Sequence, residues 1–378
     1  MTHPPKPVDT VAPASLGSLP LVVDMDGTLI ATDVLAEGIV AGVFAKPFST
    51  FFALAKLLGG RAPFKRRIAE IDAADIDTLP LRQDILAWLR AEKSSGREIH
   101  LVSAADEALV ERVAQLVGVF DSAQGSRGRI NLRSHRKAEA LQQRFPDGFV
   151  YAGDSWADMA VWKRARGIVT VGVRGGLERA VKRVAVPIEQ SFLVQRAGLR
   201  AWIDALRPRL WAINGLVFVP VLIWKEGQSW QGCWKAGLAF IMVSAMASGT
   251  YVLRDLAHVG SDRRLGLSQS RPMAGGSIPL HVGANVALVA ILGALALAWL
   301  ALPQLVMPLS IYLAIAACNF WPIGRGAIKD ALLLAILLTL RLVLGGMATG
   351  LPVPNSILGV TMGGVFVAGL TACKWGLR

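Results

Sequence analysis

DMDGTLI, residues 24–30, directly follows the apolar run LPLVV. That run is short and rich in branched side chains, so it reads as a buried β-strand. It ends in two carboxylates, Asp24 and Asp26. Side chains two apart on an extended chain point the same way. A carboxylate at a strand end can attack phosphorus as a nucleophile, and a second one beside it can move the proton. Gly27 and Thr28 then allow a tight turn close to a phosphate.

Three further runs of the same kind follow. GREIHLVSAAD (96–106) contains Ser103, DGFVYAGDSWAD (147–158) contains Asp154 and Asp158, and ARGIVTVGV (165–173) is the fourth. Helical patterns such as LRQDILAWLRAEKSSG and DEALVERVAQLVG lie between them. Strands alternating with helices predict a parallel sheet with crossover connections. Ligands of such sheets bind at the carboxyl ends of the strands, where each of these polar clusters falls. Ser103 could hydrogen-bond a phosphoryl oxygen. Lys137, in HRKAEAL, could balance the charge of nucleophile and phosphate. Asp154 is an acid suited to Mg²⁺; Asp158, behind it, could join it or cap a helix.

These motifs resemble the haloacid dehalogenase-like hydrolase superfamily over residues 19–190. The resemblance implies an α/β Rossmann-like domain with a helical cap over about 31–95. It makes Asp24 the nucleophile and Asp26 the general acid/base. Thr28, Ser103 and Lys137 would bind the phosphoryl group of a phosphorylated small molecule. Asp24, Asp26 and Asp154, with Asp158 behind them, would hold Mg²⁺. The second Asp favours phosphoryl transfer over dehalogenation. Within the cap, AKPFSTFFALAKLLGGRAPFKRR (45–67) is apolar, aromatic and basic. It suits either an ordinary cap packed on the core or a surface that touches lipid. Asp72, Asp75 and Asp77 read as solvated loop charges.

The second half has another character. The chain has 378 residues, is 53% apolar and carries a net charge of +13, with a mean hydropathy of +0.47. Residues 205–378 contain 13 Lys/Arg against four acids, and residues 1–204 contain 27 against 23. The basic excess thus sits mainly in the apolar half, which suits membrane loops facing anionic lipid or phosphate. No aromatic-and-basic interleaving of the nucleic-acid kind is present. Cys233, Cys318 and Cys373 are too far apart for a disulfide framework or a zinc spacing. MTHPPKPVDTVAPASLGS (1–18) has no apolar core, so it reads as a disordered leader rather than a signal peptide. Residues 191–209 read as a linker.

Beyond the linker, apolar stretches at about 210–224, 236–253, 280–301, 304–320, 331–350 and 355–373 predict an all-α transmembrane bundle of about six spans over 210–378. Arg254, Arg263, Arg264 and Arg271 fall in one loop, Arg325 and Lys329 in another, and Lys374 and Arg378 at the C-terminus. The positive-inside rule puts these loops, and with them the α/β domain, in the cytoplasm. The expected location is a multi-pass protein of the inner (plasma) membrane. Trp202, Trp211, Trp224, Trp230 and Trp234 read as interfacial anchors.

In YVLRDLAHVGSDRRLGLSQSRPMAGG (251–276), Asp255 and Asp262 are seven residues apart and share a face if the stretch is helical. Acids at the end of a span are costly and usually functional. Two can bind Mg²⁺, Mg²⁺ can bridge to a pyrophosphate, and Arg271 would add charge for the same phosphates. The alternative is that both acids cap a helix and pair with Arg263 or Arg264. With RPRLWAINGLVFVP (207–220), KDALLLAILLTLRLVLGGMATGLP (329–352) and FVAGLTACKW (366–375), this segment resembles the UbiA superfamily of intramembrane prenyltransferases. The branch containing decaprenyl-phosphate phosphoribosyltransferase is the most similar. The resemblance implies an isoprenoid or polyprenyl-phosphate lipid as substrate and a site of Asn214, Asp255, Asp262 and Arg271.

Departures from that pattern bear on activity. The family's Asn and second acid are Arg254 and His258 here, and its entry-motif Lys is Ile213. An arginine in a metal site repels the metal or replaces part of its charge. The chain stops at KWGLR, where a second acidic motif is expected. Three readings follow: a two-part enzyme, a phosphatase on an inactive membrane anchor, or a fragment whose remaining spans come from a separate polypeptide.

Overall fold

The computed structural model describes residues 16–54, 61–71, 75–127, 131–194, 197–320 and 326–374. Most of the expected leader, Arg325 and the last four residues lie outside these. The chain divides into two compact units, residues 1–42 with 46–195, and residues 43–45 with 196–378.

The first unit is built on β1 (Leu21–Val23), buried along its whole length. Such burial of a Val or Leu contributes about 1.5–3 kcal/mol per side chain, which explains why this short run can sit at the centre of a sheet. Three helices follow: α1 (Val34–Ala45), α2 (Pro47–Leu54) and α3 (Arg61–Ile71). Asp33 starts α1 by accepting a hydrogen bond from the Ala36 amide at 3.0 Å. Ala53, Phe64, Ile68 and Ile71 form a small core of their own. The next helix, α4 (Gln83–Ser94), differs: its Ile85, Leu86 and Leu89 join the core of the sheet. α1–α3 thus have a small core apart from the sheet, whereas α4 packs on the sheet as a crossover helix.

β2 (Ile99–Asp106), α5 (Glu107–Val117), β3 (Ser122–Ser126) and α6 (His135–Arg144) come next. β4 (Val150–Gly153), α7 (Met159–Trp162), β5 (Gly167–Val171), α8 (Gly175–Lys182) and β6 (Ile188–Phe192) complete the unit. All pairings are parallel, in the order β3-β2-β1-β4-β5-β6. This is an α/β Rossmann-like sheet. It has six strands rather than the four legible in the sequence; β3 and β6 are the two edges. The strand order reverses between β1 and β4, and the crevice outside their carboxyl ends is where such sheets bind ligands.

The second unit is helical. α9 (Leu199–Leu206) is followed by α10 (Trp211–Asn214) and α11 (Val219–Ile223). Arg207 at the break has φ 52°, and the two parts are bent by 41°. The long helices are α12 (Trp230–Ala257), α14 (Leu280–Ala301), α16 (Ala327–Thr349) and α17 (Asn355–Lys374), with α13 (Val259–Arg264) and α15 (Val306–Ala317) between them. Among the described residues, four helices are long and apolar enough to cross a membrane, five if the bent pair counts as one span. The stretch at 210–224 is broken by short 3-10 turns, and the helical stretch Pro303–Ala317 is short of a full span. Glycines allow close helix approach: a Cβ on Gly249 would meet Ile291 and the Ala287 carbonyl of α14.

Candidate active site

The turn after β1 delivers Asp24 and the turn after β4 delivers Asp154, both at the switch point of the sheet. Lys137 Nζ, from the first turn of α6, donates to Asp24 Oδ1 at 2.7 Å and to the Tyr151 hydroxyl at 2.9 Å. Tyr151 in turn donates to Asp158 Oδ1 at 2.8 Å. The other Asp158 oxygen accepts from the amides of Asp154 and Ser155 and from the Ser155 hydroxyl, at 3.2, 3.0 and 2.8 Å. Asp158 therefore closes the turn that presents Asp154.

Asp24, Asp154 and Asp158 each offer an oxygen within 4.8 Å of the others. Three carboxylates so close repel one another, and the charge shows in their acidities. Burial, then the nearby Asp24 and Asp158, push Asp154 up to about 8. Burial raises Asp24 to about 6 against the pull of Lys137. Burial also tends to neutralise Lys137, but Asp24 and Asp158 outweigh it and hold the ammonium above its ordinary value. A cluster of hard oxygen donors carrying excess negative charge fits a hard divalent cation such as Mg²⁺.

Asp26 stands apart from that cluster. Its Oδ1 accepts from the Val34 amide at 2.8 Å, at the start of α1, and Oδ2 lies 3.5 Å from the Ser103 hydroxyl. Burial, then Asp33, raise its pKa to about 7. A carboxyl near neutrality suits proton transfer. Its Oδ1 is held by the start of α1, while the three acids whose oxygens lie closest together are Asp24, Asp154 and Asp158. Ser103 is buried at the end of the sheet beside Asp26. Thr28 is fully buried, and its hydroxyl has no hydrogen-bond partner.

Gly27 has φ 77°, and a Cβ there would collide with the Asp154 carboxylate. Only glycine permits both the turn and that approach. Three partners were not singled out in the sequence. Tyr151 links Lys137 to Asp158, and its only signal is an inward position on β4. Arg82 Nε donates to the Gly27 carbonyl at 3.2 Å. Lys65 Nζ, from α3, donates to the Ala104 carbonyl at 2.6 Å. Burial lowers its pKa, while Asp26 and Asp33 oppose that shift. A basic helix contains no sequence mark of which lysine turns inward.

In the helical unit the two expected acids fall on different helices. α12 ends at Ala257, His258 breaks the helix, and Asp262 lies on α13. The seven-residue spacing thus does not run along one helix. Arg207 donates to both Asp255 oxygens, at 2.7 and 2.9 Å, and Arg271 donates to Oδ1. Arg207 also stacks on Tyr251, 5.4 Å from the ring centre. Two guanidiniums occupy the donor atoms a cation would need. Asp262 is buried nearby in sequence, but the residues present do not fit a divalent cation at Asp255. Asn214 belongs to a different network. It donates to Ser244 at 3.0 Å and accepts from Arg341 Nε at 2.7 Å, and Arg341 reaches the Tyr312 hydroxyl at 3.0 Å.

No protein-family model matches the chain. It is 33% identical over 333 residues to the uncharacterized protein y4nM of Sinorhizobium fredii, covering 88% of this chain and 64% of that protein. It is 30% identical over 160 residues to the decaprenyl-phosphate phosphoribosyltransferase of Mycobacterium tuberculosis, covering 41% of this chain and 53% of that enzyme. A third relative, the nodulation protein NoeC of Azorhizobium caulinodans, is 32% identical over 155 residues, or 41% of this chain and 50% of that protein. The chain thus spans between half and about two thirds of these relatives' lengths. Among solved structures, an apo phosphoserine phosphatase is 16% identical with a TM-score of 0.34, covering 46% of this chain and 94% of its own. A phospho-aspartyl intermediate analogue of phosphoserine phosphatase is 16% identical with a TM-score of 0.33, covering 50% and 98%.

Proposed function

We propose that the α/β unit is a phosphohydrolase of the haloacid dehalogenase-like type, and that it acts on a phosphate carried by an isoprenoid or polyprenyl-phosphate-linked substrate. The observation that carries this reading is the Lys137–Asp24 pair facing Asp154 at the switch point. Asp24 attacks phosphorus and becomes an aspartyl phosphate, and water then hydrolyses it. Asp26 gives a proton to the leaving oxygen and takes one from the water. Lys137 offsets the charge of Asp24 and of the phosphoryl oxygens. Ser103 and Thr28 have hydroxyls available for those oxygens. Asp24 and Asp154 would hold Mg²⁺, with Asp158 positioning Asp154. The ion would neutralise phosphoryl charge in the same place.

The likeness over 160 residues to a decaprenyl-phosphate phosphoribosyltransferase and the long apolar helices support a membrane protein. We assign it to the inner membrane with the α/β unit on the cytoplasmic side, where its basic loops favour it. No nucleic acid is a partner. Two readings of this unit remain. A transferase working through Asn214, Asp255, Asp262 and Arg271 is supported by the likeness to phosphoribosyltransferase. An anchor without transferase chemistry is supported by the pairing of Asp255 with two arginines.

The test is phosphate release by full-length protein in lipid, with and without Mg²⁺, alongside prenyl or phosphoribosyl transfer from labelled donors. Turnover that persists without divalent cations, or in Asp24→Asn, would overturn the phosphatase reading. Phosphate release without transfer would support the anchor.

A further inference from the structure

Helix α2 is built inside out for a soluble cap. Its small residues, Thr50 and Ala53, are buried, and the Thr50 hydroxyl caps back onto the Lys46 carbonyl at 3.0 Å. Its large residues point away: Phe48, Phe51 and Phe52 are 80%, 69% and 68% exposed. Positions three and four apart share a helix face, so the three rings form one patch. Phe51 and Phe52 meet edge to face with centroids 6.0 Å apart. Scattered exposed apolar residues are ordinary, but a cluster of phenylalanines on one face marks a binding surface.

We infer that this face of α2 inserts into the interfacial layer of an anionic bilayer and so holds the cap at the lipid surface. Two observations select lipid as the occupant. Among its described residues the same chain carries four helices long and apolar enough to cross a membrane, so α2 is covalently tethered to any bilayer they enter. The charge is also complementary. Apart from Lys65, which turns to the Ala104 carbonyl, residues 45–71 carry Lys46, Lys56, Arg61, Arg66 and Arg67 against the single acid Glu70. Phenylalanines flanked by cations are the composition of an interfacial helix on anionic lipid. Such a cap would receive a phosphate whose hydrophobic tail stays in the membrane. That consequence rests on the phosphatase reading, but the lipid contact does not.

The test uses full-length protein, its three cysteines replaced by serine, in phosphatidylcholine–phosphatidylglycerol vesicles. A nitroxide label goes on Phe51→Cys, with Glu111→Cys on the exposed face of α5 as the aqueous reference. Insertion predicts that oxygen collides with the label at 51 more than a water-soluble nickel chelate does, and the reverse at 111. Chelate access at 51 equal to that at 111 overturns the proposal. So does shielding from both agents, which would mean burial against protein or a second copy. This readout needs no turnover, so it stands or falls separately from the phosphatase. With Phe48, Phe51 and Phe52 all replaced by serine, hydrolysis of a lipid-tailed phosphate monoester should fall about tenfold through lost local concentration. Hydrolysis of p-nitrophenyl phosphate should be unchanged.

Discussion

Lys137 and Asp24 are 113 residues apart in sequence and 2.7 Å apart in space. Both are buried. A buried ion pair is costly to assemble and costlier to break from one side, by about 3–5 kcal/mol. The pair therefore both anchors α6 to the end of β1 and sets the charge of the proposed nucleophile. Asp24→Asn should abolish Mg²⁺-dependent phosphate release, by about a thousandfold or more. Lys137→Met should lose both activity and thermal stability, measured by phosphate assay and by thermal unfolding.

Stability should depend on pH in a direction that Mg²⁺ reverses. Asp154 is raised from 3.8 to about 8, so between those values the folded protein binds more protons than the unfolded chain. Metal-free stability then falls as pH rises through this window. Asp24 and Asp26 shift in the same direction. Mg²⁺ binds the deprotonated cluster, so its stabilisation grows with pH. Unfolding curves at pH 5 and pH 8 should show a shift of about 5–10 °C on adding saturating Mg²⁺ at the higher pH and little at the lower.

Asp154→Asn should separate charge crowding from catalysis. Removing one negative charge from three close carboxylates relieves repulsion. The variant should be more stable than wild type without metal at pH 8, insensitive to Mg²⁺ in unfolding, and inactive. A variant that keeps the Mg²⁺ response would place the cation elsewhere.

Gly27→Ala should lose activity through shape alone. The residue has φ 77°, and the added methyl would push on the Asp154 carboxylate. A positive φ costs a non-glycine residue about 1–3 kcal/mol. Activity and Mg²⁺ affinity should fall together, while the wild-type set of carboxylates remains.

Asp255→Asn should destabilise the helical unit. It leaves Arg207 and Arg271, both partly exposed, without their shared buried anion, at a cost of about 1–3 kcal/mol. Thermal unfolding in detergent would read the loss. Unfolding curves that are unchanged by this substitution, with Mn²⁺ binding lost instead, would restore Asp255 as a metal ligand.

Legibility in the sequence followed burial. β1, β4 and β5 are enclosed on both faces and read as continuous apolar runs. β3, SAQGS, and β6, IEQSF, lie at the edges, are polar and partly exposed, and so lack that pattern. In the helical unit the apolar pattern says less about where helices end. Apolar composition marked 210–224 and 304–320 as spans, but composition does not report where a helix bends or stops. The Asp255–Asp262 spacing was read along one helix, and the break at His258 removed its premise.

The sequence alone determined the parallel α/β layer, the membrane-compatible second half and the strand ends that carry acids, because these depend on local apolar patterning and on chain direction. Only the tertiary structure decided which charges meet. It gave Lys137 to Asp24, Arg207 and Arg271 to Asp255, and Arg341 to Asn214. Pairings between distant residues depend on how elements pack, and a charged side chain looks the same in sequence whether it turns inward or out.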